Sequence, residues 1–522
     1  MSRRLKILIG AGIVLGLAIL IPVVRHYQLR FAVEKYVSEL KAKGEPMELA
    51  QVIPPPVPPD RNGAPLITNA LAQIYLEHTY TNSIIFNNAP YDMNRAIPGK
   101  EMIGWRQPVI HDPDGNWPTN TWEDLGTQLA ERQNDLNDFR KLIENPIIDF
   151  NYDYSDPKRY LPALAPRLSQ IKMAVQWLEA SEYNNLHQDK IAEAWTDVRA
   201  MLALVEGQTK ERFEISQLIR FALTQMIANA TWEILQTTNV ADEKLAQLQS
   251  DWQSFEFIVP LKNAFLFERV SELQLVDFIR KSPTNLDAQV AWTESFRQSE
   301  SGADVFEDTK DFLQKVKSKV STAWNKLQWL WFWSYTDEVR GVQMWRVVAD
   351  ATLMMRTNHS WQSVQSYLNT NFTQIGFNSV KNNPYAMTSQ YAHNQLSAIN
   401  HLARAETARN VVITAIALKR YELQHHQLPD TLDKLVPDFL ESVPTDYMDG
   451  QPLRYRRNAD GSFLLYSVGE NGKDDGGDPT LEKGAESSSF NWQNPHALDW
   501  VWPQPATAEE IQKYYAQQKD SR

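Results

Sequence analysis

Ile191-Ala-Glu-Ala-Trp-Thr-Asp-Val-Arg-Ala-Met-Leu-Ala-Leu-Val205 places Ile191, Ala194, Val198, Leu202 and Val205 three or four residues apart, so they share one face of a helix. The same spacing recurs upstream in Leu125, Leu129, Leu136 and Phe139, and in Leu164, Leu168, Ile171, Val175 and Leu178. One apolar stripe per segment, with charge opposite, predicts a bundle or stack of helices from Trp122 to about Arg280. No anchor residue recurs at a fixed period, which argues against a regular solenoid. Downstream, Tyr385 to Gln427 is a long helical pattern with Leu396, Ile399, Leu402, Ala405, Ala408, Val412, Ala415, Ile416 and Leu418 on one face. Upstream, residues 61 to about 120 are rich in Asn, Pro and Gly and read as surface turns, with a short helix over Leu66–Tyr80.

The chain has 522 residues and a mass of 60.1 kDa, more than one average core, so two or three domains are expected. Hydrophobic residues make up 43% and charged residues 22%, a globular composition. A formal net charge of -12 leaves no basic surplus to wrap a phosphate backbone, which argues against nucleic acid as a partner. With Cys at 0, disulfides, thiolate zinc sites, iron–sulfur clusters and cysteine nucleophiles are excluded.

Arg3, Arg4 and Lys6 precede Ile7 to Val24, a stretch without charge that ends at Arg25. As a helix it spans roughly 27 Å, enough for a bilayer core of about 30 Å. A cleaved signal peptide has a shorter apolar region and a small-x-small site, whereas this stretch runs into Pro22-Val-Val-Arg-His-Tyr27. The expectation is an uncleaved signal anchor across the inner membrane. Residues 1–6 would be a cytoplasmic tail, 7–24 the transmembrane helix, and the bulk of the chain would be periplasmic under the positive-inside rule. Leu29, Val33, Tyr36, Val37 and Leu40 continue as a stalk helix that stops at Gly44 and Pro46. Ile53-Pro-Pro-Pro-Val-Pro-Pro-Asp60 imposes extended geometry, so residues 25–60 read as stalk and linker. Residues 61–380 then form a mainly helical extracytoplasmic domain.

Residues 381–503 combine the long helix with a small α+β module. Leu453–Tyr455 and Ser462–Val468 read as strands of an antiparallel hairpin joined by Asn458-Ala-Asp-Gly461, and an acidic loop follows, Gly469-Glu-Asn-Gly-Lys-Asp-Asp-Gly-Gly-Asp478. Tyr421-x6-Leu428-Pro, Val443-Pro-x-Asp446, Gly450-x-Pro-Leu-x-Tyr455 and Tyr466-Ser-Val-Gly-x-Asn-Gly472 together resemble the soluble domain of the major pseudopilin of type II secretion, over residues 405–503. Gly44–Pro46 and Pro55–Asn62 also resemble the opening of large membrane-anchored proteins of planctomycete and verrucomicrobial type. Asp474, Asp475 and Asp478 with Asn471 supply several hard oxygens in eight residues, a donor set suited to calcium. The pseudopilin resemblance implies ligand roles for Asp474, Asp475 and Asp478 and adds Asp499. The bland alternative is a solvated acidic turn. Gly10, Gly12 and Gly16 are followed only by apolar residues, so no prepilin processing signature is present and assembly into a filament is not expected. Residues 504–522 read as a tail.

Motifs for chemistry are missing: Gly-x-Ser-x-Gly, phosphate loops and His-Glu-x-x-His do not occur, so no nucleotide partner is expected. His425-His426 read as helix-end residues. Glu406 with Arg404 and Arg409, and Asp337-Glu338 with Arg340, read as solvated ion pairs. Trp324, Trp329, Trp331, Trp333 and Trp345 make an aromatic-rich segment with three readings: core helix, membrane interface or sugar platform. The expected function is non-catalytic, an anchored scaffold or interaction protein of the cell envelope with protein partners, linked to a type II secretion or pilus-like system. The alternatives are an envelope hydrolase with its site in the helical domain and a carbohydrate-binding module using the Trp-rich segment.

Overall fold

The computed structural model describes residues 3–80, 95–106, 121–155, 157–238, 240–281, 334–376, 387–484 and 492–520. It is mainly helical with a small C-terminal sheet module. The chain forms two compact units, interleaved in sequence. One comprises residues 1–53, 265–351 and 366–397; the other comprises 54–264, 352–365 and 398–522.

In the first unit, α1 runs unbroken over Arg3–Ala42. Gly44, at φ 81, turns the chain out of it in the left-handed region that a residue without Cβ enters at no steric cost. Val33 and Leu40 of α1 are buried, and Leu40 packs with Met47 and Val342. The Glu45–Pro46 turn is clamped by Arg269, which is 1% exposed and donates to Glu45 at 2.6 Å and to the Pro46 carbonyl at 2.7 Å. Residues 7–24 fall within α1, but most of their side chains lie outside the described residues. Among the described residues no helix is long and apolar enough to cross a membrane.

In the second unit the expected helices form. They are α2 (Ala64–Tyr80), α3 (Trp122–Glu131), α4 (Gln133–Arg140), α5 (Pro157–His187), α6 (Ile191–Glu206), α7 (Glu214–Leu235) and α8 (Asp242–Gln253). The Thr121 hydroxyl caps α3 by accepting from the Asp124 N–H, and the Asp124 carboxylate accepts from the Thr121 N–H in return. Helices α5, α6 and α7 pack on one another, as do α2, α4 and α5, with Tyr183, Trp232, Trp252 and Phe257 fully buried.

The helix α9 (Ile258–Arg280) begins at a cap from Glu256, whose Oε1 accepts from the N–H groups of Ile258 and Val259 at 3.1 Å. Then follow α10 (Ser334–Asn358), α11 (Trp361–Ile375) and α12 (Met387–His425). His426 at φ 56 terminates α12, in line with the helix-end reading of this His pair.

Among the described residues, two three-stranded sheets complete the second unit. Strand β1 (Arg95–Ile97) pairs antiparallel with β2 (Lys100–Glu101). The hairpin strands β3 (Arg454–Arg457) and β4 (Phe463–Ser467) pair in the register Tyr455 to Leu465, and β4 pairs with β5 (Trp500–Val501). Residues 504–522, read as a tail, instead contribute β6 (Gln504–Pro505), parallel to β2, and α13 (Ala508–Asp520), which packs on β1. Trp232 Nε1 donates to the Pro503 carbonyl at 2.8 Å, a tie the local sequence does not signal.

Candidate functional site

The C-terminal module is organised by Asp446. It is fully buried, and its carboxylate accepts from the Met448 N–H at 3.0 Å, the Val468 N–H at 2.9 Å, the Ser467 hydroxyl at 2.8 Å and Arg454 at 3.1 Å. Arg454 also pairs with Asp449, so one guanidinium joins the Asp446–Gly450 turn to β3. Burial pushes the Asp446 carboxyl up to about 6 even though these donors favour the charged form.

The acidic loop lies beside this turn. Asp499, at the edge of β5, is fully buried, and its Oδ2 accepts from the N–H groups of Gly477 at 2.8 Å and Asp478 at 3.0 Å. The Asp475 N–H reaches Asp499 Oδ1 at 3.4 Å. Burial raises the Asp499 carboxyl, and the backbone amides offset part of that. Asp474 accepts from the Tyr466 hydroxyl at 2.9 Å and the Gly476 N–H at 3.0 Å. Asn471 donates to Asp475 at 3.0 Å, and Asp478 accepts from the Thr480 N–H at 3.0 Å. All five residues therefore belong to one loop and its closing strand, and the carboxylates accept from donors of the module itself, the loop amides and Tyr466 of β4 among them. Among the described residues no group of three acidic or histidine side chains is placed to hold a metal ion. Asp499 acts as the loop's cap, accepting from its backbone amides.

The more unusual electrostatics lie in the helical core, where the pattern reading placed no site. Glu182 on α5 is fully buried, and among the described residues neither of its carboxylate oxygens has a hydrogen-bond partner. Burial raises its pKa well above the usual range, and the charges of Glu233, Glu179 and Asp197 add to the rise. Glu233 of α7 accepts from the Gly104 N–H at 2.8 Å. Asp197 of α6 is paired with Arg140 at 2.6 Å and bonded by Ser181 and Asn185, yet burial still brings it to about 6. One signal was available in the sequence: Glu182 stands four residues after Leu178 and seven after Val175, a charge in the apolar register.

Two other expectations change. Glu406, read as a solvated partner of Arg409, is 1% exposed and pairs with it at 2.9 Å, because that turn of α12 lies in the core. Asp337 is likewise buried, and Glu338 pairs with Arg280 at 2.5 Å. Of the Trp-rich segment, Trp324 to Trp333 lie outside the described residues, while Tyr335 and Trp345 are buried. No protein-family model, curated protein or solved structure matches this chain.

Proposed function

We propose that this protein is a membrane-anchored scaffold or interaction protein of the cell envelope, held in the inner membrane by residues 7–24 with its bulk on the periplasmic side. One observation supports the reading: α1 is a single helix from Arg3 to Ala42, whose later turns bury Val33 and Leu40 in a folded unit. The uncharged segment is thus continuous with a structural helix, as an anchor and stalk require and a cleaved leader does not. A link to type II secretion or pilus-like machinery belongs to this proposal through residues 405–503, and so does calcium at the acidic loop, supported by its number of hard oxygens.

The test is alkaline carbonate extraction of membranes carrying the full chain. It is combined with labelling of an Asp60→Cys variant by an impermeant maleimide in intact spheroplasts. Retention in the pellet with labelling before lysis is expected; release into the supernatant, or labelling only after lysis, defeats the proposal.

The envelope-hydrolase alternative has one observation in its favour, the Glu182–Glu233 proximity, because a carboxyl kept protonated is the form a general acid needs.

A further inference from the structure

The short turn Gly104–Arg106 is fastened to the helical bundle by its backbone. The Gly104 N–H donates to Glu233 Oε1 of α7 at 2.8 Å, and the Trp105 carbonyl accepts from His187 Nδ1, at the end of α5, at 3.2 Å. The His187 ring is itself stacked on Trp122, centroid to centroid at 4.1 Å. A Cβ on Gly104 would stand 2.7 Å from the Tyr183 ring, so the turn approaches α5 this closely only as glycine. The turn follows closely on β2, which pairs with β6, and the Pro503 carbonyl just before β6 accepts from Trp232. Two adjacent residues of α7, Trp232 and Glu233, thus hold the small sheet and its turn to the bundle.

Glu182 adjoins Tyr183 in sequence, is wholly buried, and among the described residues has no hydrogen-bond partner on either oxygen. A carboxylate in the interior without donors is far costlier than the neutral acid, so this side chain keeps its proton. The charges that act on it are acidic: Glu233 from α7, Glu179 from the preceding turn of α5, and Asp197 from α6, which is paired with Arg140 of α4 at 2.6 Å. An apolar residue would fill this position of the stripe without that cost. What the acid adds is a charge that appears only on deprotonation, next to the carboxylate that holds Gly104.

We propose that Glu182 and Glu233 form a pH-sensitive latch on the Gly104–Arg106 turn. While Glu182 is protonated, Glu233 keeps the Gly104 N–H. When Glu182 gives its proton to solvent, two like charges share the buried site, Glu233 is driven off the amide, and the turn lifts from the bundle with its end of the β1–β2–β6 sheet. The sign follows from linkage: a group that binds its proton more tightly in the closed state favours that state at low pH and opposes it as pH rises. Burial and the neighbouring acids hold Glu182 well above the usual carboxylate range, so the latch is closed near neutrality and opens on the alkaline side. The Trp232 tie to Pro503 carries no titratable group and persists, which confines the opening to one end of the sheet. The latch stands whether or not residues 7–24 cross a membrane.

The full chain is compared with Glu182→Gln and Glu182→Met, each checked for folding by circular dichroism. The methionine variant keeps the test open if the amide is not tolerated. Infrared difference spectra at pH 7, parent minus variant, are expected to show the C=O band of a protonated carboxyl; its absence means that Glu182 is ionised and overturns the latch. Backbone hydrogen exchange, corrected at each pH for the intrinsic rate, is then followed by mass spectrometry. Protection of Gly104–Arg106 is expected to fall about tenfold or more from pH 7 to pH 9.5 in the parent, with α6 unchanged, and to stay level in both variants. Level protection in the parent, or a fall that α6 shares, overturns the proposal. So does a fall that persists in the variants, which would assign the response to His187 or Asp197.

Discussion

The carboxylate of Asp446 and the guanidinium of Arg454 meet at 3.1 Å with Asp446 wholly withdrawn from solvent, so one residue's charge holds the turn before the hairpin to the hairpin's first strand. Removing that carboxylate strips the Met448 and Val468 N–H groups and Arg454 of their acceptor. Asp446→Ala is expected to cost about 3 kcal/mol. Asp446→Asn, which keeps an acceptor oxygen, should cost less. Urea unfolding followed by tryptophan fluorescence checks both, and a loss below about 0.5 kcal/mol for the alanine variant would sink the keystone role.

Several buried acids make stability depend on pH in an unusual direction. Glu211 is 4% exposed, and burial pushes it up to about 7; Glu206 is also brought to about 7, chiefly by burial. A carboxyl whose folded pKa exceeds its unfolded one binds more protons when native. Its contribution is fully present below the unfolded value, near 4.5, and is lost as pH rises through about 7. Glu211→Gln removes that loss. Relative to the parent, the variant should gain about 2 kcal/mol at pH 8 and little at pH 5. Parallel stability curves from pH 5 to 8 would rule out this assignment.

Asp499 accepts from two loop amides within 3.0 Å, so Asp499→Ala should destabilise the module by about 2 kcal/mol with or without divalent ions. If calcium also occupies the loop, the parent's thermal midpoint rises in millimolar calcium over chelator and not in magnesium. Stabilisation by about 2.7 kcal/mol corresponds to calcium at a hundred times its dissociation constant. A midpoint indifferent to calcium removes the ion and leaves the cap.

Two glycines of the helical unit should respond oppositely to alanine. At Gly207 an added Cβ would stand 2.2 Å from the Pro146 carbonyl oxygen, beside the Ile148 N–H that bonds the Gly207 carbonyl at 3.0 Å. Gly207→Ala should therefore cost about 1–3 kcal/mol. At Gly126, within α3, the nearest atom is 3.9 Å away, and alanine should gain about 0.5–1 kcal/mol from helix propensity. Equal effects in denaturant titration would contradict the packing argument.

What the residues dictate by themselves is local. Apolar spacing determined the helices from Trp122 to Arg280 and the long α12, because a helix buries one stripe whatever it packs against. Gly44 and the Asn458–Gly461 turn determined an end and a reversal through backbone geometry, and Thr121 determined a helix start through its capping hydroxyl. The acidic loop was equally legible, since its Gly and Asp residues are neighbours in sequence.

The tertiary structure decided everything that depends on distant partners. It turned Asp499 onto the amides of Gly477 and Asp478, drew Glu406 into the core, and tied Trp232 to Pro503 across 271 positions. It also set Glu182 beside Glu233 with no hydrogen-bond donor among the described residues. A charged residue's burial, and with it its pKa, follows from which other helices cover it, and helical periodicity describes one helix at a time.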